Sequence, residues 1–527
     1  MRVSLKNLLL SLSLLMIWNS LRAQYTIITP GNAQPNINTN SPNSQGVVIP
    51  NLTTVQRDQI QGPERGAIIY NISCGCLNYF NGIQWIKLTE NIYSDEYAPP
   101  RPIIGSTLGR EYFYASGADE ANSIALVTPG LNTSEYYVTG RAWNSTPLSQ
   151  ENKDGYFIAR FGANSWERKV TDAIGYDVAI DNDGNVYTTG IFTGTVDFGY
   201  GNTLTSQGDT DIFLAKYDSN GNILWARKAG GSGSDLGRAL AINGSVVYLT
   251  GYFSNTNFTI QSPSNNISLT SAGGKDIFIA RYDTNGNLIW AQRAGGAVDD
   301  EAKDINKNSG VVGYFTGTAT FGTKTHTSNG GKDLFLAYFD INGNIVKSLS
   351  AGSNGDDVAN GINNDDLITG YFSNNLSMPT INSGTLNVRS SGGKDMFLAH
   401  IIGDYNDSSK LVARVLVRGG GINDDEGVKV TMSGSSNFAL IAVAGNFSGN
   451  ADFGGPFLVT NTQSGFVATF SWDGFYQWGK SLSKTVTSFV SDIGITSASK
   501  PYIVGIYGTY QWMNRPYPST MRVWTTD

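Results

Sequence analysis

The sequence predicts an all-β chain, a seven-bladed β-propeller of four-stranded blades with a small separate N-terminal module. Three observations predict it. A strand phrase built on glycine, as in "VYTTGIF" and "VYLTGYF", recurs in seven copies at Gly140, Gly190, Gly251, Gly313, Gly370, Gly445 and Gly505. A Phe-x-Ala strand follows it at Phe157, Phe213, Phe278, Phe335, Phe397 and Phe466, with a degenerate copy in "TMRVWTTD" from Thr520 to Asp527. The composition, with 62 Gly, 26 Tyr, 24 Phe, 10 Trp and 15% charged residues, suits short strands and tight turns. Each period spans roughly 50 to 75 residues and holds four strand-like segments, which is the signature of radial β repetition.

In chain order, "MRVSLKNLLLSLSLLMIWNSLRAQ" places Arg2 and Lys6 before an apolar run ending at Ala23, the layout of a secretory signal peptide over residues 1–23. The run Leu8 to Trp18 is shorter than the ~20 residues a bilayer span requires, and no later segment reaches that length. Residues 24–45 are rich in Pro, Asn and Ser and read as a flexible linker. Residues 46–90 form the small module, with apolar runs at Val47 to Ile49, Ala67 to Tyr70 and Trp85 to Leu88. On Ile49, Pro50, Thr53, Thr54, Gln56, Arg57, Gly66, Tyr70, Asn71, Asn81, Gly82 and Trp85 it resembles a module common in exported proteins of Gram-negative bacteria. That resemblance implies no chemistry. The only two cysteines, Cys74 and Cys76, are too few to close a tetrahedral zinc site and read as a local disulfide or two inert thiols. A second linker, 91–108, precedes the propeller at 109–527.

The two ends of the propeller region complement each other. After its Phe-x-Ala copy the last unit has no fourth strand, while "REYFYASGADE" (Arg110 to Glu120) is an orphan copy of "LIWAQRAGGAVDDE". The N-terminal strand is therefore expected to complete the C-terminal blade and remove its open edge. The units resemble the bacterial seven-bladed propeller repeats called SBBP repeats, and the best copies run from Asp211 to Gly322. This resemblance implies the propeller fold and a mostly exported family without an assigned role.

Three constellations are candidates for chemistry. The Asp-x-Asn-Gly-Asn runs at Asp218, Asp283 and Asp340, with the related "DNDGN" at Asp181, begin like calcium loops. The bidentate glutamate such a loop needs falls on Ala229, Ala294, Ala351 and Phe192 instead, so the runs are expected to be Asx-capped hairpin turns. Trp166, Trp225, Trp290 and Trp478 are expected to pack between blades, an arrangement similar to the tryptophan-docking motif of quinoprotein-type propellers. The acidic turns Asp119, Glu120, Asp235, Asp299, Asp300, Asp356, Asp357, Asp424 and Asp425 are expected to ring one face. Such a ring suits a cation such as calcium, or a basic partner, or else it ties blades together through turn amides.

No nucleophile elbow, histidine-based triad, phosphate loop or metal cluster is present in the sequence, which has only two histidines. A net charge of -7 without a basic stripe disfavours nucleic acid. The expected function is a non-enzymatic exported platform, in the periplasm, on the outer membrane or outside the cell. It would bind an envelope or surface protein, with a glycan as second ligand class and no cofactor. The alternative is a glycosidase or lyase using paired carboxylates on the acidic face.

Overall fold

The computed structural model describes residues 51–53, 56–57, 59–60, 68–71, 76–80, 85–87, 108–112, 120–127, 135–143, 154–162, 164–254, 257–380, 384–403, 410–434, 439–495, 501–507 and 520–526. The chain divides into two compact parts, Met1–Pro102 and Ile103–Asp527. The signal peptide, the linker 24–45, residues 91–107 of the second linker, Cys74 and Asp119 lie outside the described residues; Leu108, expected in that linker, begins a strand.

In the first part, Asn51–Leu52 pairs parallel with Ile68–Asn71, which continues antiparallel to Cys76–Phe80 and Trp85–Lys87. Thr53 and Gln56 cap each other reciprocally, and this turn brings Arg57 to Asn78. Asn78 also accepts a hydrogen bond from buried Asn71.

The second part is built almost wholly of antiparallel β-structure. Repeat 1 comprises Glu120–Leu126, Tyr136–Trp143, Asp154–Phe161 and Trp166–Thr171. Repeat 2 comprises Ala173–Ile180, Val186–Phe192, Asp211–Tyr217 and Ile223–Gly230, and repeat 3 comprises Leu236–Asn243, Val246–Phe253, Asp276–Asp283 and Leu288–Gly296. In repeat 4 the strands are Glu301–Ile305, Gly310–Phe321, Lys324–Phe339 and Ile345–Ala351; in repeat 5, Val358–Ile362, Leu367–Pro379, Thr385–Gly403 and Leu411–Gly421. Repeat 6 comprises Glu426–Ser433, Leu440–Asp452, Leu458–Phe470 and Tyr476–Ser481. A final sheet joins Ser488–Ile495, Pro501–Tyr507 and Thr520–Thr526 to Leu108–Tyr112, with Arg522 opposite Tyr112 and Thr526 opposite Leu108. We call it repeat 7. Its fourth strand comes from the beginning of this part.

The glycine that marks each second strand has a steric reason. A Cβ on Gly190, Gly251, Gly313 or Gly370 would lie within 1.8–2.0 Å of a carbonyl oxygen of the repeat's first strand. The buried Phe-x-Ala strand lies beside it, and clusters such as Tyr187, Ile212, Leu249, Phe253, Phe258 and Phe278 join consecutive repeats.

Two features tie the repeats together. First, the second and third strands extend into a hairpin that pairs with the end of the preceding outer strand: Gly230 with Thr259, Gly295 with Thr320, and Gly420 with Asp452. Second, the first strand of each repeat neighbours the first strand of the next, and that of repeat 7 neighbours that of repeat 1. Each of these seven first strands carries a β-bulge at the same place, on Asn122, Tyr176, Arg238, Lys303, Asn360, Val428 and Ser491. A bulge re-aims the side chain that follows it.

Candidate functional site

The Asp-x-Asn-Gly-Asn runs are hairpin turns between third and fourth strands. Asp283 Oδ1 accepts the amides of Asn285 and Asn287, and Oδ2 accepts the Asn287 side-chain amide. Asp218 and Asp340 repeat the pattern. Burial opposes ionisation of Asp283, yet the hydrogen bonds from Asn287 and Asn285 hold it below the usual carboxylate range. Asp181 makes the same turn in a different hairpin, between first and second strands. Among the described residues no group of three or more His, Cys, Asp or Glu is placed to hold a metal ion.

The turns at Asp218, Asp283 and Asp340 each receive a tryptophan from the preceding repeat. Trp166 Nε1 donates to the Ser219 carbonyl (2.9 Å), Trp225 Nε1 to Thr284 (3.2 Å) and Trp290 Nε1 to Ile341 (2.9 Å). The turn glycine makes room for the indole: at positive φ, a Cβ on Gly221, Gly286 or Gly343 would fall 2.6, 3.1 or 2.9 Å from the ring. Trp478 sits half-buried on its own outer strand against the cluster of repeats 6 and 7.

The acidic turns separate into two kinds of carboxylate. Asp235, Asp300, Asp357 and Asp425 are buried at 0, 0, 0 and 1% exposure. Each spans two segments: Asp300 accepts the amides of Gly296 and Thr316, Asp425 those of Gly421 and Ser448, Asp357 those of Ser353 and Ser373, and Asp235 those of Gly231 and Ser254. Burial pushes Asp300 and Asp425 up to about 7, against the pull of those amides and with repulsion from Asp276 and Asp395 respectively. Asp299, Asp356 and Asp424 instead accept the backbone amides of Lys275, Lys332 and Lys394. Those three lysines lie 4.3 Å over the rings of Tyr252, Tyr314 and Tyr371. Glu120 opens the first strand of repeat 1, half-buried. Thus the buried four do not converge on a common centre, and their oxygens are occupied by main-chain donors.

The centre is formed by residues the sequence reading did not single out. Immediately after the seven bulges stand Ser123, Asp177, Ala239, Asp304, Gly361, Lys429 and Asp492, one from each first strand. Lys429 Nζ lies 2.7 Å from both oxygens of Asp304. Burial alone would lower the Lys429 ammonium, but Asp304, Asp492 and Asp177 outweigh it and hold it above the ordinary lysine value. Each aspartate also bridges two repeats through amides. Asp177 accepts from Val178 and Leu240, Asp304 from Ile305 and Ile362, and Asp492 from Ile493 and Ile124. Beside this layer Glu301 accepts from the Tyr314 phenol (3.1 Å) and Lys303 (2.7 Å), and the Arg238 guanidinium lies 5.6 Å from the Tyr176 ring.

Two surface depressions, about 640 and 520 Å³, flank the repeat 6 hairpin. Ile422, Asn423 and Asp424 contribute to the first, and Phe457, Lys480 and Lys484 to the second.

With this geometry in place, comparison with known proteins gives three matches. Residues 28–100 match the family of phage tail-like trimerisation regions. A stretch of 143 residues is 32% identical to the regulatory protein FlaEY of Caulobacter vibrioides, covering 26% of this chain and 15% of that protein. A longer stretch of 299 residues is 23% identical to an uncharacterised WD repeat-containing protein of Acanthamoeba polyphaga mimivirus, covering 46% of this chain and 21% of that one. The chain therefore spans less than a quarter of the length of either relative. The match to a WD-repeat protein agrees with the β-repeat architecture, and the N-terminal match points to oligomerisation. Among the described residues no helix is long and apolar enough to cross a membrane.

The central residues had one available sequence signal. When the repeats are aligned on their glycines, the position after the bulge varies among Ser, Asp, Ala, Gly and Lys, although the bulge position and the one two before it also change charge between repeats. A position that changes charge within a repeat faces a place where the repeats differ in role.

Proposed function

We propose that the chain is an exported seven-bladed β-propeller of SBBP type, assembled as a homotrimer through its N-terminal module and acting as a non-enzymatic binding platform at the cell envelope. One observation carries the propeller reading: Leu108–Tyr112 pairs with Thr520–Thr526, so the two ends of the second part share one sheet while the first strands follow one another cyclically. Sheet edges between the two ends are thereby sealed. The platform reading is supported by the use to which the candidate carboxylates are put. Asp235, Asp300, Asp357 and Asp425 each accept main-chain amides from two segments, which suits fixed architecture better than proton transfer to a substrate. Trimer formation is inferred from the match at 28–100 and from the size of the module, which is too small to bury a large core alone. Three copies on one stalk would turn a weak contact of each propeller into avid binding.

Deleting residues 108–112 should lower the melting temperature sharply and make the 501–526 segment sensitive to protease; an unchanged melting curve overturns the closed ring. Sedimentation of the mature chain should give three times the chain mass, and removal of residues 28–100 should give the monomer. Protease treatment of intact cells tests the location. Turnover of a polysaccharide by the purified chain would overturn the platform reading in favour of the carbohydrate-active alternative.

A further inference from the structure

The central layer contains three carboxylates and one ammonium, and its hydrogen bonds do not balance without an additional proton. Ser123 Oγ lies 2.8 Å from Asp177 Oδ1 and 2.8 Å from Asp492 Oδ2. A hydroxyl has one hydrogen to donate, so it satisfies only one of these contacts. The other brings two oxygens to hydrogen-bond distance, which is stable only if the carboxyl itself supplies the hydrogen. The backbone amides at these oxygens do not relieve it: Val178 N donates to Asp177 Oδ1 and Leu240 N to Asp177 Oδ2, and Ile124 N donates to Asp492 Oδ2, but none places a hydrogen between a carboxylate oxygen and Ser123 Oγ.

We propose that Asp177, Ser123 and Asp492 share one proton, resident on Asp177, and that this proton controls how tightly repeats 7, 1 and 2 close on one another. The chain of donors then runs Asp177 Oδ1–H to Ser123 Oγ, and Ser123 Oγ–H to Asp492 Oδ2. Asp492 keeps its charge because it interacts more strongly with Lys429 than Asp177 does. The groups facing Asp177 are Ser123 from repeat 1, Leu240 N from repeat 3, Asp304 from repeat 4, Lys429 from repeat 6 and Asp492 from repeat 7. Lys429 draws Asp177 toward ionisation, and Asp492 and Asp304 oppose it. Burial is the largest influence and pushes Asp177 up to about 6.

The location gives the proton its consequence. Repeats 7 and 1 are where the two ends of the second part meet, and Asp492 makes the contacts to Ser123 Oγ and Ile124 N that cross this junction. Losing the proton leaves two carboxylates competing for one hydroxyl beside a single ammonium. The folded state thus holds a proton that the unfolded chain releases between roughly pH 4 and 6, so closure is firmest in mild acid and loosens as pH rises through that interval.

The test compares melting of the full chain and Asp177→Asn from pH 4.5 to 8. The asparagine NH2 donates permanently to Ser123 Oγ and imitates the protonated state. Asp300, Asp357, Asp395 and Asp425 give both proteins the same background slope. The variant should therefore show a smaller fall in melting temperature with rising pH, and should melt above the wild type at pH 8. An equal slope, or a folded variant that melts below wild type at pH 8, overturns the proposal. If Asp177→Asn does not fold, Ser123→Ala takes its place. Removing the relay should lower melting at pH 5 more than at pH 8, and an equal loss at both overturns the shared proton. Hydrogen-exchange protection at Ile124 and Leu240 supplies the local readout. It should fall by several-fold between pH 5.5 and 8 in the wild type and stay level in Asp177→Asn.

Discussion

The junction between repeats 3 and 4 and the junction between repeats 5 and 6 do the same job with the parts exchanged. In the first, Trp290 leaves the outer strand of repeat 3 and seats on the Asp340–Asn344 turn of repeat 4, stacking at 6.1 Å on Phe339. In the second, the corresponding strand position holds Val415, which pairs with His400 as Trp290 pairs with Arg281. The tryptophan comes instead from the facing turn: Trp472, in "SWDGF", meets the His400 ring at 4.4 Å, with the Arg414 guanidinium 5.7 Å above it. What the junction requires is one flat ring between strand and turn, and either neighbour can supply it. At the intervening junction, Lys347 stands at the strand position.

The comparison can be broken most forcefully at its rings. Trp290 is 7% exposed and combines packing with a hydrogen bond, so Trp290→Ala should cost about 3–5 kcal/mol, read as a lowered denaturation midpoint. Trp472→Ala removes a half-buried ring that meets the His400 ring and the Arg414 guanidinium and should cost less, about 1–3 kcal/mol. Equal losses at the two sites would show that the exchange is not an economy of the reversed junction.

The turn glycines come next. Gly343→Ala places a methyl 2.9 Å from the Trp290 ring at φ 88, whereas Gly474→Ala places one 2.6 Å from Val415, a smaller side chain, at φ 83. Both should destabilise by about 1–3 kcal/mol through backbone strain, with the extra cost set by whether the neighbour can yield.

Two pH effects then separate the junctions. Asp300, at the 3–4 junction, has a folded pKa raised to about 7. Its folded form takes up a proton that the unfolded form lacks, so the stability present in mild acid is lost as pH rises from roughly 4 through 7. His400, at the 5–6 junction, is lowered to about 4 by burial and by Arg414. Stability tied to its neutral ring is present above roughly pH 6.5 and is lost as pH falls toward 4. Asp425 holds Gly421 in acid as Asp300 holds Gly296, so the contrast is confined to the strand beside His400: hydrogen exchange should show 412–416 loosening in acid while 288–296 holds, and simultaneous loosening would remove the distinction.

These contrasts mark what could be read from the chain alone. The strands were legible because Gly-x-aromatic and Phe-x-Ala report steric demands that every repeat shares, a carbonyl against Gly190 or Gly251 and a core against Phe213 or Phe278. Trp166, Trp225 and Trp290 were legible for the same reason. Trp472 was not legible in this way, because its service to the junction runs opposite to the repeat's usual direction. The acidic pairs were legible as a set, but which member is buried is decided by amides from a separate strand, such as Thr316 N on Asp300 and Ser448 N on Asp425. Asp177, Asp304, Lys429 and Asp492 were hidden because they come together only when separate repeats do, and no spacing along the chain records that meeting.

The extended hairpins carry a consequence for how such a molecule is made. Because three of them reach back to the outer strand of the predecessor, as Thr259 does to Gly230, Thr320 to Gly295 and Asp452 to Gly420, those repeats overlap like roof shingles laid in one direction. A chain emerging N-terminus first can lay each course onto the one already in place, with the waiting indole ready for the next turn. The strand at 108–112 alone must be kept free until the last course, 520–526, arrives to cover it.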